Sequence, residues 1–433
     1  MVPDHDVTTM TEHVESYYAA TANPWPVHAP LQGEIAADVC VIGGGLSGCS
    51  TALHLAERGY KVALLEARRI AWGASGRNGG QFIFGFASSQ ERLVSDVGFD
   101  VAKRMFDLSV EALDLLEDRI TRHAIVCDRE HGHIHAAVRT RHVDELKGWQ
   151  HELAERYGYR SLRWVERDEM RNLFATDRYP GGLLDSRSGH LHPLNYTLGL
   201  AAAAEAAVVQ LFEESPAVKV EPGDPAVVET ANGRVRARYV VLCCNAYLDE
   251  LVPTLRARIM PVSTYIVATE QLGAERMQAL IRENYALADI NWVLDYYRRS
   301  ADHRLLFGGR VSYSGLDPLN TANATRARML KVFPQLADTK IEYAWGGYVD
   351  ISMSRAPDFG RYRPNIYYLQ GFSGHGVALT GLAGKLVADA IAGHAERFDL
   401  FTRLRHRDFP GGKALRTPLL VLAMLWFRLK DLL

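Results

Sequence analysis

The stretch ADVCVIGGGLSGCSTALHLAERGYKVALLEA, residues 37–67, constrains the fold of this chain more than any other. Val39, Val41 and Ile42 form a short β-branched run that predicts a buried strand. Gly43, Gly45 and Gly48 then match G-x-G-x-x-G. Ala52, Leu53, Leu55 and Ala56 give residues 51–58 an apolar helical face, and Gly59 stops that helix. Residues 61–65 read as a second strand ending in Glu66. The first glycine permits the tight turn, the second admits a pyrophosphate to the backbone, and the third lets helix and strand pack closely. The helix start offers free N–H groups and a positive dipole end to phosphates. Gly43, Gly45, Leu46, Ser47 and Gly48 are therefore candidate pyrophosphate contacts. Glu66, with Ala67 and Arg68 beside it, falls about 20 residues on, where an acid binds a ribose.

That unit predicts a dinucleotide site without choosing between NAD and FAD. The next segment, RRIAWGASGRNGGQ, chooses. It is too rich in glycine and polar residues for a helix or strand, yet Ile70, Ala71 and Trp72 are apolar enough to anchor it. A long ordered loop at this place carries an FAD site from the adenosine end toward the isoalloxazine. Gly73, Ala74, Ser75, Asn78, Gly79, Gly80 and Gln81 become candidate contacts. A second glycine turn, LQGFSGHGVALTGLAG at residues 369–384, leads from an apolar strand into a helix expected over 377–392. FAD is long enough to need both turns. The second, through Gly374, His375, Gly376 and Val377, would point a helix N-terminus at the ring, where negative charge collects on reduction. His375 is either a donor to the ring or a helix cap.

With 433 residues the chain is long enough for two domains, and 48% hydrophobic and 23% charged residues are those of a globular protein. A net charge of −2 without a basic block argues against nucleic-acid binding. Five cysteines match no zinc or redox spacing, and Cys40 and Cys243 sit in apolar runs. No metal site is expected. The first thirty residues lack a basic and then apolar leader, which predicts a cytoplasmic protein.

Helices are expected over 97–122, 141–157 and 194–212. Asn232-Gly233 signals a hairpin feeding a buried strand over 218–244. STYIVATE and HRLLFGG read as strands of a second sheet.

The segments ESYYAATAN, GASGRNGGQ, DRYPGGLLDSRSGHLHPLN, LDYYRRSADHRLLFGG and IYYLQGFSGHGV resemble the γ-glutamylputrescine oxidase family, within the D-amino acid oxidase, glycine oxidase and sarcosine oxidase superfamily. The resemblance covers nearly the whole chain. It implies an α/β (α+β overall) protein: a discontinuous Rossmann-type FAD-binding domain with a mixed or antiparallel substrate domain. FAD-domain pieces are expected at 33–89, 180–247 and 341–412, and substrate-domain pieces at 90–179 and 248–340. Residues 1–32 would be an N-terminal extension. The resemblance further implies backbone contacts from Val218 to the adenine, and a turn at Asn245–Tyr247 near the cofactor. Some relatives attach FAD through a cysteine in the segment matching WGGYVDISMSRAPDFG; this segment has none, so the FAD is expected to be non-covalent.

The chemistry implied is oxidation of an amine to an imine, with oxygen or a quinone reoxidising the flavin. No acid-base residue is demanded, since the flavin carries the redox step. Candidate substrate-site residues are Tyr296 and Tyr297 as aromatic walls, Arg310 and Arg355 as carboxylate partners, and His375. Where several relatives carry an oxygen-activating lysine, this chain has Leu306, which leaves oxidase and dehydrogenase both open. Residues 413–433 predict an apolar helix too short to span a bilayer, to be packed on protein or on a membrane surface.

Overall fold

The computed structural model describes residues 12–312, 321–410 and Pro418. Two sheets organise them. In the first, the order is Asp358–Arg363, Ile366–Gln370, Gly233–Leu242, Gly33–Ile42, Val62–Leu65, Gln210–Phe212. The four pairings from Ile366–Gln370 to Gln210–Phe212 are parallel. Val62–Leu65 is buried along its whole length, as a strand covered on both faces must be. The Asn232-Gly233 hairpin forms as expected: Ala226–Glu229 pairs antiparallel with Gly233–Leu242.

The strand Gly233–Leu242 lies between Gly33–Ile42 and Ile366–Gln370. Both glycine turns therefore leave the same edge of one sheet, at the carboxyl ends of parallel strands, where such sheets bind ligands. The helices that follow them, Leu46–Ala56 and Gly376–Ile391, pack side by side.

The second sheet runs Ile341–Ser352, Ile259–Thr269, Leu305–Ser312, Tyr296–Arg299, Ala286–Asp289, Glu130–Ala137, Gly181–His190, Gln81–Phe82, with Leu162–Glu166 also on Gly181–His190. It is mixed: Ala286–Asp289 and Glu130–Ala137 are parallel, the other pairings antiparallel. Three of its strands, Gln81–Phe82, Gly181–His190 and Ile341–Ser352, fall inside the spans 33–89, 180–247 and 341–412 expected to belong to the FAD domain. Each span thus crosses from one sheet to the other. Alternation along a strand reveals the strand and not its partner, which is fixed by distant pairing.

The helix expected over 194–212 is shorter. It occupies Pro193–Ala206, Val208 turns left-handed at φ +70°, and Gln210–Phe212 joins the first sheet as an edge strand. The expected helices over 97–122 and 141–157 are present as Phe99–Arg122 and Thr140–Arg156.

The N-terminal segment folds onto this frame. Tyr17 and Tyr18 are fully buried, and Trp25 Nε1 and His28 N donate to Glu213. Glu213 also takes Ile70 N and an ion pair from Arg69, tying the segment to the loop after Glu66. The tail at 413–433 lies, apart from Pro418, outside the described residues. Among the described residues no helix is long and apolar enough to cross a membrane.

Candidate active site

A cavity of about 510 Å³ runs between the two glycine turns. Gly43, Gly45, Leu46 and Ser47 line one end with Glu66, Ala67, Arg68 and Val218. Gly73, Ala74, Ser75, Asn78 and Asn245 line its middle, and Gly374, Gly376 and Val377 the other end. The size is that of a cofactor site.

The cradle is shaped by what the glycines lack. A Cβ on Gly48 would sit 1.8 Å from the Gly43 carbonyl, so only glycine lets this helix start lie on its strand. Gly48 itself does not line the cavity; its part is packing. Ser75 closes the turn from above by accepting the Leu46 N–H at 2.9 Å. Glu66 is held rigidly: its carboxylate accepts Gly44 N at 2.6 Å and Arg68 N at 3.0 Å. Burial raises its pKa, and these N–H groups oppose that rise. Each oxygen keeps acceptor capacity for a ribose hydroxyl. The N–H of Val218 is already donated to the Glu229 carbonyl at 2.8 Å, so it is not free for the backbone contact expected of it. Trp72 is clasped between the guanidinium groups of Arg68 and Arg77, each 4.0 Å from a ring centroid.

At the far end lies a group that sequence reasoning missed. Asp350 lines the cavity and is 1% exposed. It accepts the N–H groups of Gly371 and Phe372. Asn245, its amide nitrogen turned to the acid, donates to Oδ1 at 2.7 Å. Burial pushes Asp350 up to about 7 against those donors. It thereby fixes the turn that aims the helix Gly376–Ile391. An isolated aspartate in an apolar strand carries no motif that would reveal this. Tyr247 was visible only as part of the expected turn; it lines the cavity beside Trp72.

The remaining expected residues separate. Gly79, Gly80, Gln81 and His375 do not line the cavity. Gly79 packs under the Tyr296 ring, where a Cβ would come within 2.7 Å of Cε2. Gln81 donates Nε2 to Leu287 O at 3.3 Å, and its Oε1 lies 3.2 Å from His133 Nε2. His375 occupies the N-cap position of the helix without a side-chain capping bond; burial, and then Arg355, lower its pKa to about 4, which keeps it neutral. Arg355, which does not line the cavity either, stacks on Trp292 at 4.8 Å and lies close enough to His375 to act on it electrostatically. Tyr297 is the exception among the aromatic candidates. Adjacent strand residues face opposite ways, and Tyr297 turns into a separate core against Phe307, Phe174 and Phe333. It is packing rather than a substrate wall. The side chain of Arg310 lies outside the described residues.

A family model described as "DAO: FAD dependent oxidoreductase" matches residues 38–390. The chain belongs to this family of FAD-dependent oxidoreductases. The cavity agrees: the glycine cradle, the buried ribose acid and the second helix start fit a molecule with a pyrophosphate at one end and a polar ring at the other. Among curated relatives of this oxidoreductase, the γ-glutamylputrescine oxidoreductase of Escherichia coli (strain K12) is 43% identical over 98% of this chain and 99% of its own. A probable oxidoreductase, OrdL, of Haemophilus influenzae is 42% identical over 94% of each. Among solved structures, glycine oxidase from Bacillus cereus superposes with a TM-score of 0.70 at 21% identity, covering 87% of this chain and all of that one. At that identity the likeness speaks for the fold.

Proposed function

We propose that this chain oxidises the primary amine of a γ-glutamylated polyamine such as γ-glutamylputrescine, giving an imine that water converts to an aldehyde and ammonia. The observation that carries this reading is the end-to-end similarity to the Escherichia coli γ-glutamylputrescine oxidoreductase, which extends through the N-terminal segment that the family model leaves out.

Bound FAD supplies the hydride acceptor. The chain's own residues bind, orient and desolvate. Glu66 would take the ribose, and the backbone from Gly43 to Ser47 the pyrophosphate, while Gly73 to Asn78 would line the path toward the ring. Gly374, Gly376 and Val377 aim a helix N-terminus at the ring, where its N–H groups favour developing negative charge. Asp350 and Asn245 hold that helix start in place. Tyr296 walls the substrate side beside Gly79. The amine must be neutral to give up its hydride, and the neutral His375 adds no positive charge there. Arg355 meets the carboxylate of the γ-glutamyl group as a charged donor. The segment Trp345–Gly360 holds no cysteine, so the FAD is dissociable.

In this reading oxygen is the final acceptor, and the two electrons and two protons removed from the amine would leave as hydrogen peroxide. One observation favours a second reading, in which a quinone is the acceptor and the enzyme is a dehydrogenase for a secondary amine or amino acid of the glycine, sarcosine or D-amino acid type. Leu306, buried and paired with Arg298 in the sheet, is the residue that the resemblance to relatives sets at the place of their oxygen-activating lysine. The test is product analysis with γ-glutamylputrescine, putrescine, sarcosine, glycine and D-alanine. Ammonia and peroxide formed one for one from γ-glutamylputrescine support the leading reading. Turnover of glycine or sarcosine alone, or reoxidation by quinone alone, supports the second.

A further inference from the structure

Arg298 is 3% exposed, and among the described residues its hydrogen-bond acceptors are all neutral. Nε donates to the Gly79 carbonyl at 2.9 Å, Nη1 to Arg299 O at 3.2 Å, and Nη2 to Leu191 O and to the Tyr18 hydroxyl, both at 3.0 Å. A buried arginine ordinarily meets a carboxylate, because an unpaired charge in low dielectric is costly. Among the described residues no carboxylate is hydrogen-bonded to it or ion-paired with it. His190 and His192 are held neutral, lowered to about 3 by burial and by Arg298 itself. Asp302, the carboxylate that reaches His192 and Tyr17 electrostatically, is ion-paired with Arg304 at 2.8 Å.

Three pieces of chain meet at this guanidinium. Gly79 belongs to the loop proposed to flank the flavin, one residue after Asn78 on the cavity wall. Leu191 precedes the helix Pro193–Ala206, whose positive end adds to the same field. Tyr18 comes from the N-terminal segment, lying outside the residues matched by the family model. It is wedged edge-on against Trp345 at 5.3 Å and His192 at 4.9 Å, and Trp345 Nε1 in turn donates to Arg77 O at 2.9 Å. The segment therefore grips the cofactor loop from behind at both Arg77 and Gly79.

We propose that Arg298 is a positioning residue for the cofactor, fixing the Gly79 loop and lending it a buried positive charge that the reduced, anionic cofactor neutralises, with Tyr18 of the N-terminal segment holding that charge in place. The inference rests on the cofactor placement given above and on no particular amine. Its test therefore reads the cofactor without substrate, and failure of the substrate assignment leaves it untouched.

The measurement is the midpoint potential of FAD in purified holoenzyme, with the rate of FAD release on dilution, for wild type, Arg298→Met, Arg298→Lys and Tyr18→Phe. Arg298→Met is expected to shift the equilibrium toward oxidised FAD about tenfold, near 30 mV for a two-electron couple. Arg298→Lys keeps the charge and is expected to stay within about threefold of wild type. Tyr18→Phe removes one bond to a charged donor and is expected to speed FAD release about tenfold. An Arg298→Met enzyme that holds FAD at the wild-type potential overturns the proposal. Should Arg298→Met emerge without flavin, Tyr18→Phe decides: faster release supports the positioning role, and an unchanged rate overturns it.

Discussion

Ser50 donates its hydroxyl to the carbonyl of Gly381 at 2.9 Å, across 331 positions of sequence. That bond joins the helices following the two glycine turns. A few ångströms along the same seam, a Cβ on Gly384 would lie 2.6 Å from the Thr51 backbone nitrogen. The spacing between the turns is thus set by direct helix contact, and a cofactor reaching from one turn to the other depends on it.

Gly384→Ala forces the two backbones apart, because no side-chain rotation relieves a clash with a backbone nitrogen. The expected cost is about 1–3 kcal/mol, with loss of flavin absorbance in the purified protein. Gly381→Ala is the internal control. Nothing lies within 4 Å of its added methyl, so helix propensity makes it neutral or stabilising by up to about 1 kcal/mol. Thermal denaturation and the ratio of flavin to protein absorbance check both.

Glu66→Gln retains the shape and loses the charge. One backbone N–H, from Gly44 or Arg68, is then left facing an amide nitrogen. The loss is about 1.5–3 kcal/mol, which weakens FAD binding roughly tenfold to a hundredfold. Quenching of FAD fluorescence on titration into apoprotein measures it.

Asp350 supplies a pH signature. The folded state holds it near 7, above its ordinary value, so the unfolded chain releases its proton first. Its contribution to stability is full below about pH 4 and declines as pH rises to 7, by up to about 4 kcal/mol. Asp289, pushed up to about 7 by burial and by Asp295, adds a slope of the same sign. Asp350→Asn is therefore expected to flatten the fall in stability between pH 4 and 7 without removing it. Denaturant titrations at several pH values follow the change, and a slope equal to wild type would show that Asp350 is ionised in the folded state.

The cofactor end of this molecule was legible because its chemistry is local. The unit from Val39 to Glu66 is contiguous, and its glycines answer contacts in the turn itself, in the loop after Glu66 and at the end of the neighbouring strand. The second turn is equally compact. What escaped was non-local. That Gln81–Phe82, Gly181–His190 and Ile341–Ser352 pair in the second sheet depends on partners far along the chain. The helix end at Ala206 escaped because six alanines continue the helical composition to Ala207, while the left-handed Val208 leads into Gln210–Phe212 pairing with Val62–Leu65. Asp350 escaped because a buried acid is recognised by its donors, and those lie on another strand's turn.

Tyr296 and Tyr297 separate the two faces of the substrate sheet. Tyr297→Ala removes a fully buried ring from the core with Phe307 and Phe333 and is expected to cost about 3–5 kcal/mol, while the folded fraction keeps its KM for amine. Tyr296→Ala uncovers Gly79 and is expected to raise KM with a smaller loss of stability. Steady-state kinetics beside thermal denaturation distinguishes them, and equal effects of the two on KM would contradict the assignment of faces.

The most direct measurement is anaerobic mixing of the FAD-loaded enzyme with γ-glutamylputrescine, with the flavin absorbance followed by stopped flow. The account predicts rapid bleaching, faster at equal concentration than with putrescine, which lacks the carboxylate for Arg355. Flavin that stays oxidised with γ-glutamylputrescine, while sarcosine, glycine or D-alanine bleaches it, would contradict the account.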